Sequence, residues 1–182
     1  MNVWLARHAS SSAPPGRAWG WTDFELSAAG RRQVRALARN LADVPLDHVF
    51  SSDLQRSWQT AEGVARAQRI PVQRSSRLRE VNFGAWEGQR LEALWDSDPL
   101  QAQAWESDPR NFPASFGESY AQFERRVHGF LDSIPRCENL LVVAHRGSLA
   151  LLEAKLTRST FAQTFARGLA PGAVTRLVTS SC

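Results

Sequence analysis

The chain has little cysteine and no long apolar run. Its 182 residues include two cysteines, Cys137 and Cys182, neither in a Cys-x-x-Cys pair. That excludes a disulfide framework and a cysteine-based zinc site. No stretch approaches the ~18 apolar residues that span a membrane. The N-terminus carries one short apolar run, Val3 to Ala6, and lacks the longer apolar region of a secretory signal. A cytoplasmic protein without a membrane partner is expected. Lysine is also scarce. Lys155 is the only one, so the net charge of +4 and the isoelectric point near 10.0 rest on arginine. The arginines are scattered along helical stretches and form no long basic run, as Arg31, Arg32, Arg35 and Arg39 illustrate. A nucleic-acid partner is therefore not expected. A positive cleft for an anionic small molecule is.

What is present alternates between strand and helix signals. Val3–Ala6, Leu46–Phe50, Leu140–Ala144 and Val174–Val178 read as strands, with a short one opening at Pro71-Val72. Ser27 can cap a helix carrying Val34, Leu37, Ala38 and Leu41. Ser52 or Asp53 can cap another, with Leu54, Trp58, Ala61 and Ala65 on one face. Ser119 and Gln122 fit a capping box before Phe123, Val127, Phe130, Leu131 and Ile134. A further helix starts at Gly147-Ser148. Residues 9 to 22 read as a loop with a flexible Ser10–Ser12 lip. Residues 78 to 118 read as an irregular excursion with short helices, where Trp86, Trp95 and Trp105 pack. The implied class is α/β, three layers of α/β/α with a mostly parallel sheet, in one domain spanning 1–182.

Polar segments follow three of the strands: Arg7-His8, Ser51 to Arg56, and His145-Arg146-Gly147. Ligands of open parallel sheets bind outside the carboxyl ends of the strands. Two of these segments run into helix N-termini, whose free N–H groups favour anions. Arg7, Arg56, His8 and His145 are thus candidates to hold a phosphate. His48 and His128 read as packing or surface residues.

These segments fall into five ordered blocks. Leu5-Ala6-Arg7-His8 comes first. Gly20-Trp21-Thr22-Asp23 with Leu26-Ser27-x-x-Gly30 is second, and Ser51 to Arg56 with Gln59-Thr60-Ala61 third. Leu78-Arg79-Glu80 with Phe83-Gly84-x-Trp86-Glu87-Gly88 is fourth. Gly117-Glu118-Ser119 and Val143-Ala144-His145-Arg146-Gly147 complete the set. In this pattern the chain resembles the histidine phosphatase superfamily, which includes the cofactor-dependent phosphoglycerate mutases, over nearly its whole length. The resemblance implies a phosphoglycerate mutase-like fold and a metal-independent phosphomonoesterase with no cofactor. His8 would carry the phosphoryl group, with catalytic Glu80 as acid and base. His145, Arg7, Arg56 and Arg146 would hold phosphate, and Glu87 would be a structural hydrogen-bond partner. Where the family usually has Gly-Glu-Thr, this chain has Ala9, Ser10 and Ser11. Phe83-Gly84-Ala85-Trp86-Glu87-Gly88, the Trp105-x-x-Asp108-Pro109 step and Gly117-Glu118-Ser119 resemble alpha-ribazole phosphatases, and the flat benzimidazole ring of such a substrate would suit Trp19, Trp21 or Trp86. Broad-specificity sugar-phosphate or nucleotide phosphatases share these blocks. A mutase and a catalytically silent phosphate-binding module are the other readings. A small phosphate ester is the expected partner, with a monomer or homodimer as the assembly.

Overall fold

The structure, a computed structural model, describes residues 1–90, 92–93, 96, 99–107 and 116–179. Its strands are β1 (Asn2–Arg7), β2 (His48–Ser52), β3 (Val72–Ser75), β4 (Asn139–Ala144) and β5 (Val174–Val178). They form one sheet in the order β3-β2-β4-β1-β5. All neighbours are parallel except β5, which runs antiparallel to β1. The most apolar segment, β4, lies at the centre and is buried on both faces, as an all-apolar parallel strand must be.

Alternation along the strands divides the core in two. Val3, Leu5, Phe50, Leu140, Val142 and Ala144 face one layer. There they meet Phe123, Val127 and Phe130 of α4 (Tyr120–Leu131) and Leu149, Leu151 and Leu152 of α5 (Arg146–Thr157). Ala6, Val49, Leu141 and Val143 face the other. Their partners are Leu37 of α1 (Ala28–Asn40) and Ala61, Val64 and Ala65 of α2 (Gln55–Gln68). The result is the expected α/β/α sandwich. Between these elements lie α3 (Pro99–Ser107) and two 3₁₀ turns, Ser76–Leu78 and Gly84–Trp86.

Several local expectations need correction. Strand β2 starts two residues later than Leu46 and runs on through Ser51 and Ser52, both fully buried. Helix α2 is not capped by Ser52 or Asp53. Its Gln55 N–H donates to Asp23 Oδ1 at 2.8 Å, while the Asp53 carboxylate is taken by Arg79. Trp58 lies off the buried face of α2, with the Arg74 guanidinium over its ring. Helix α5 starts at Arg146, with His145 as its cap residue. A short helix, α6 (Phe161–Arg167), was not anticipated, although Thr160 and Gln163 form a capping box. The Ser10–Ser12 lip is pinned. Ser10 N–H donates to Gln33 Oε1, and Ser12 N–H to the Glu25 carbonyl. Trp95, Asp108-Pro109, Pro113, Cys182 and the Trp105 side chain lie outside the described residues.

Candidate active site

Parallel register brings the carboxyl ends of three strands level: Arg7 pairs with Ala144, and Ser51 with Val143. His8, the start of α2 and His145 therefore emerge at one edge of the sheet. The His8 and His145 rings lie 5.0 Å apart between centroids. His8 Nδ1 is 2.8 Å from the Ala9 carbonyl oxygen. A carbonyl only accepts, so Nδ1 carries the proton and Nε2 keeps its lone pair. Burial, reinforced by the charges of Arg56 and Arg7, pushes the His8 pKa down to about 3. The imidazole is neutral at ordinary pH. His145 is 1% exposed, and burial together with Arg56, His8 and Arg7 holds its pKa well below the usual histidine range. Its Nε2 is 3.3 Å from Ser57 Oγ, and its Nδ1 has no hydrogen-bond partner among the described residues.

Helix α2 presents Arg56, Ser57 and Thr60 to this edge. Arg56 is 3% exposed and donates to the carbonyls of Thr22 at 2.9 Å and Gly20 at 2.7 Å. Those carbonyls are fixed in turn by Glu87. Its carboxylate accepts from the Gly20, Trp21 and Thr22 amides and from Thr22 Oγ1. Thr60 Oγ1 donates to the Arg56 carbonyl and accepts from Ala9 N–H, which ties the chain after His8 to α2. Arg7 donates from Nη1 to the Leu169 carbonyl, and its buried Nε has no hydrogen-bond partner among the described residues. Desolvation lowers the pKa of both arginines, against the raising effect of Glu80. Glu80 acts on both guanidinium groups, and Asp23 and Glu87 act on Arg56 as well.

Glu80 joins this group from the segment after the first 3₁₀ turn. Its Oε2 accepts from Gly147 N–H at 2.9 Å, and its Oε1 from Val81 N–H at 3.1 Å. Burial pushes its pKa up, overcoming both backbone bonds and the pull of Arg56 and Arg7. The sequence-derived His8, Arg7, Arg56, Glu80 and His145 therefore converge. Arg146 does not join them closely. It is exposed on the rim, with its guanidinium over the Phe165 ring and Nη2 donating to the Phe165 carbonyl. Its charge is nevertheless felt by Arg7. The bonds made by Asp23, Arg126 and Glu118 were missed. Each acts through backbone groups that only the fold brings within reach.

A cavity of about 400 Å³ opens from Arg7, His8 and Arg56. Its outer walls are Ala13, Pro14, Pro15, Trp19, Phe24 and Pro171, with Arg17 at the side. Trp19 is held by its indole N–H to the Pro14 carbonyl and by edge contact with Phe24. Trp21 instead lies under the guanidinium groups of Arg79 and Arg126, and Trp86 is buried against Ala102 and Phe83. Of the three candidate stacking residues, only Trp19 lines the cavity. A larger groove, about 530 Å³, is lined by Tyr120, His128, Lys155 and Arg158 and contains none of the converging residues.

Residues 3–182 match the family model of the histidine phosphatase superfamily (branch 1). The chain belongs to the histidine phosphatase superfamily. With relatives named as phosphatases, it is a phosphoric monoester hydrolase with a phosphoglycerate mutase-like fold. It is 35% identical to the adenosylcobalamin/alpha-ribazole phosphatase of Salmonella typhimurium, over 86% of this chain and 79% of that protein. Against phosphoserine phosphatase 1 of Hydrogenobacter thermophilus, identity is 34% over 78% of this chain and 69% of that one. The crystal structure of the alpha-ribazole phosphatase from Shigella flexneri superimposes with a TM-score of 0.88 at 30% identity, covering 97% and 89% of the two chains. Among the described residues of this superfamily member, no helix is long and apolar enough to cross a membrane.

Proposed function

We propose that this superfamily member is a metal-independent phosphomonoesterase that works through a phosphohistidine on His8. The observation that carries this is the His8 tautomer: Nδ1–H is committed to the Ala9 carbonyl, and Nε2 is free beside Arg7 and Arg56. Nε2 attacks phosphorus, and the bond from phosphorus to the ester oxygen breaks. Glu80, whose pKa burial raises, gives its proton to the departing oxygen. A water then attacks the phosphohistidine and loses a proton to the Glu80 carboxylate, releasing inorganic phosphate and neutral His8. Arg7, Arg56 and His145 stabilise the transferring phosphoryl oxygens. That electrostatic contribution is the main one a protein makes to this reaction. Arg146, on the rim, draws the anion inward. The reaction needs only a small ester as partner, and a cytoplasmic setting suits it.

The outer cavity favours an apolar, flat leaving group such as that of alpha-ribazole 5′-phosphate. Pro14, Pro15, Trp19, Phe24 and Pro171 supply apolar wall. No acidic side chain lines the cavity among the described residues. An amino-acid phosphate would bring an ammonium group with no carboxylate to receive it, a desolvation cost without return. The test is phosphate release from alpha-ribazole 5′-phosphate, phosphoserine, 3-phosphoglycerate and a sugar phosphate. A preference of about 100-fold in kcat/KM for the ribazole ester, roughly 2.7 kcal/mol of transition-state binding, is expected. Equal rates on all four would replace it with a broad-specificity phosphatase. Binding without release would leave a silent module.

A further inference from the structure

Arg126 lies on α4, outside the converging residues, yet its guanidinium makes six hydrogen bonds. Its Nη1 donates to the carbonyls of Ser76 at 3.1 Å, Arg77 at 2.9 Å and Arg79 at 3.1 Å. Its Nη2 donates to the Glu80 carbonyl at 3.1 Å. Nε and Nη2 each reach one oxygen of Glu118 at 2.7 Å. Glu118 also accepts from Asn82 N–H, just past Glu80. On the other side of the segment, the Trp21 indole N–H donates to the same Glu80 carbonyl at 2.9 Å. The main chain from Ser76 to Asn82 is therefore clamped to α4 through one guanidinium and one carboxylate.

The pairing has an electrostatic side. Around Glu80 stand Arg7 of β1, Arg56 of α2, neutral His8 and His145, the Arg79–Asp53 pair and the Gly147 amide of α5. A further free cation here would stabilise the carboxylate and lower the Glu80 pKa that burial raises. Arg126 brings its charge already matched by Glu118, with side chains 18% and 14% exposed. It grips the Glu80 carbonyl with its charge paired to Glu118, although it still helps to lower the His145 pKa.

We propose that Arg126 and Glu118 form a charge-neutral clamp that positions Glu80 as the general acid. They are positioning residues, and the inference rests on the acid role given to Glu80 above. Arg126→Gln should lower kcat/KM for an alkyl phosphate about tenfold more than for p-nitrophenyl phosphate, whose leaving group needs little protonation. kcat/KM is the right quantity, because it ends with the first product and excludes the shared hydrolysis of phosphohistidine. Arg126→Lys should not restore the ratio, since an ammonium lacks the planar fork that spans Glu118 and four carbonyls. Equal losses on both esters, while Glu80→Gln still discriminates between them, would overturn the clamp and leave the acid role standing. Equal losses in Glu80→Gln as well would overturn both. Should Arg126→Gln fail to fold, Glu118→Gln decides. It leaves the Arg126 charge unmatched, lowers the Glu80 pKa and so moves the falling, high-pH limb of the rate profile to lower pH. An unmoved limb would overturn the proposal.

Discussion

At Gly147 a Cβ would lie 2.4 Å from Glu80 Oε1 and 3.3 Å from a Phe123 ring carbon. Neither neighbour has room to retreat, because Glu80 is held by two amides and Phe123 is core. Gly147→Ala should therefore push the carboxyl aside. It should cost about tenfold or more in kcat/KM for alkyl phosphates, with a smaller loss on p-nitrophenyl phosphate. Steady-state assays on the two esters check this, and an unchanged ratio would show that Glu80 tolerates displacement. The thermal midpoint should fall as well, since a contact this close outweighs the ~1 kcal/mol by which alanine is the better helix former. Much of the site was legible at this scale. His8, Arg7, Arg56, Glu80 and His145 each follow a recognisable strand or motif, and the fold brings all five together. Gly147 was read as a helix start and as the end of a motif block. Its other task, making space for a residue 67 positions away, leaves no trace in local sequence. Arg126 was invisible for the same reason. Its partners are mainly backbone carbonyls, which carry no residue identity.

Elements were legible where the pattern is long and obscure where a distant group completes it. Helix α4 carries its own capping box and three buried apolar positions, so its place could be read directly. Helix α6, with seven residues, is too short to show a period, and only Thr160 and Gln163 mark it. Helix α2 is the instructive case. Its first turn holds Arg56, but the oxygen that caps Gln55 comes from Asp23, 32 residues earlier. Asp23 also accepts from Phe24 N–H, so it ties α2 to the loop that supplies the Arg56 carbonyl partners. Asp23→Ala should cost about 1 kcal/mol, as loss of a helix cap does. For a chain of this size, that lowers the thermal midpoint by roughly 2–4 °C. A melting curve tests it. No shift would mean that water or Ser52 replaces the cap without loss.

Across the whole molecule, the groups that make the site reactive also set its tolerance to acid. His8 and His145 are neutral in the folded state, with pKa values pushed to about 3 and well below 6.5. The unfolded chain binds protons at both from about pH 6.5 downward. Between those limits the unfolded state holds more protons, so stability falls as pH falls. Asp53, depressed by Arg79, adds to the loss below its ordinary value of 3.8. Glu80 acts with the opposite sign. Its raised folded pKa contributes stability below 4.5, which is lost as pH rises through the folded value. Two histidines against one carboxyl predict a net decline in thermal midpoint from pH 7 to pH 4. His145→Gln removes one of the two and should flatten that decline, whatever it does to the midpoint at pH 7. Melting curves at half-unit pH steps for both proteins give the comparison. If the two slopes coincide, His145 takes up its proton while folded, and the positive charge available to the phosphoryl oxygens would be larger at acid pH than the buried, neutral ring implies.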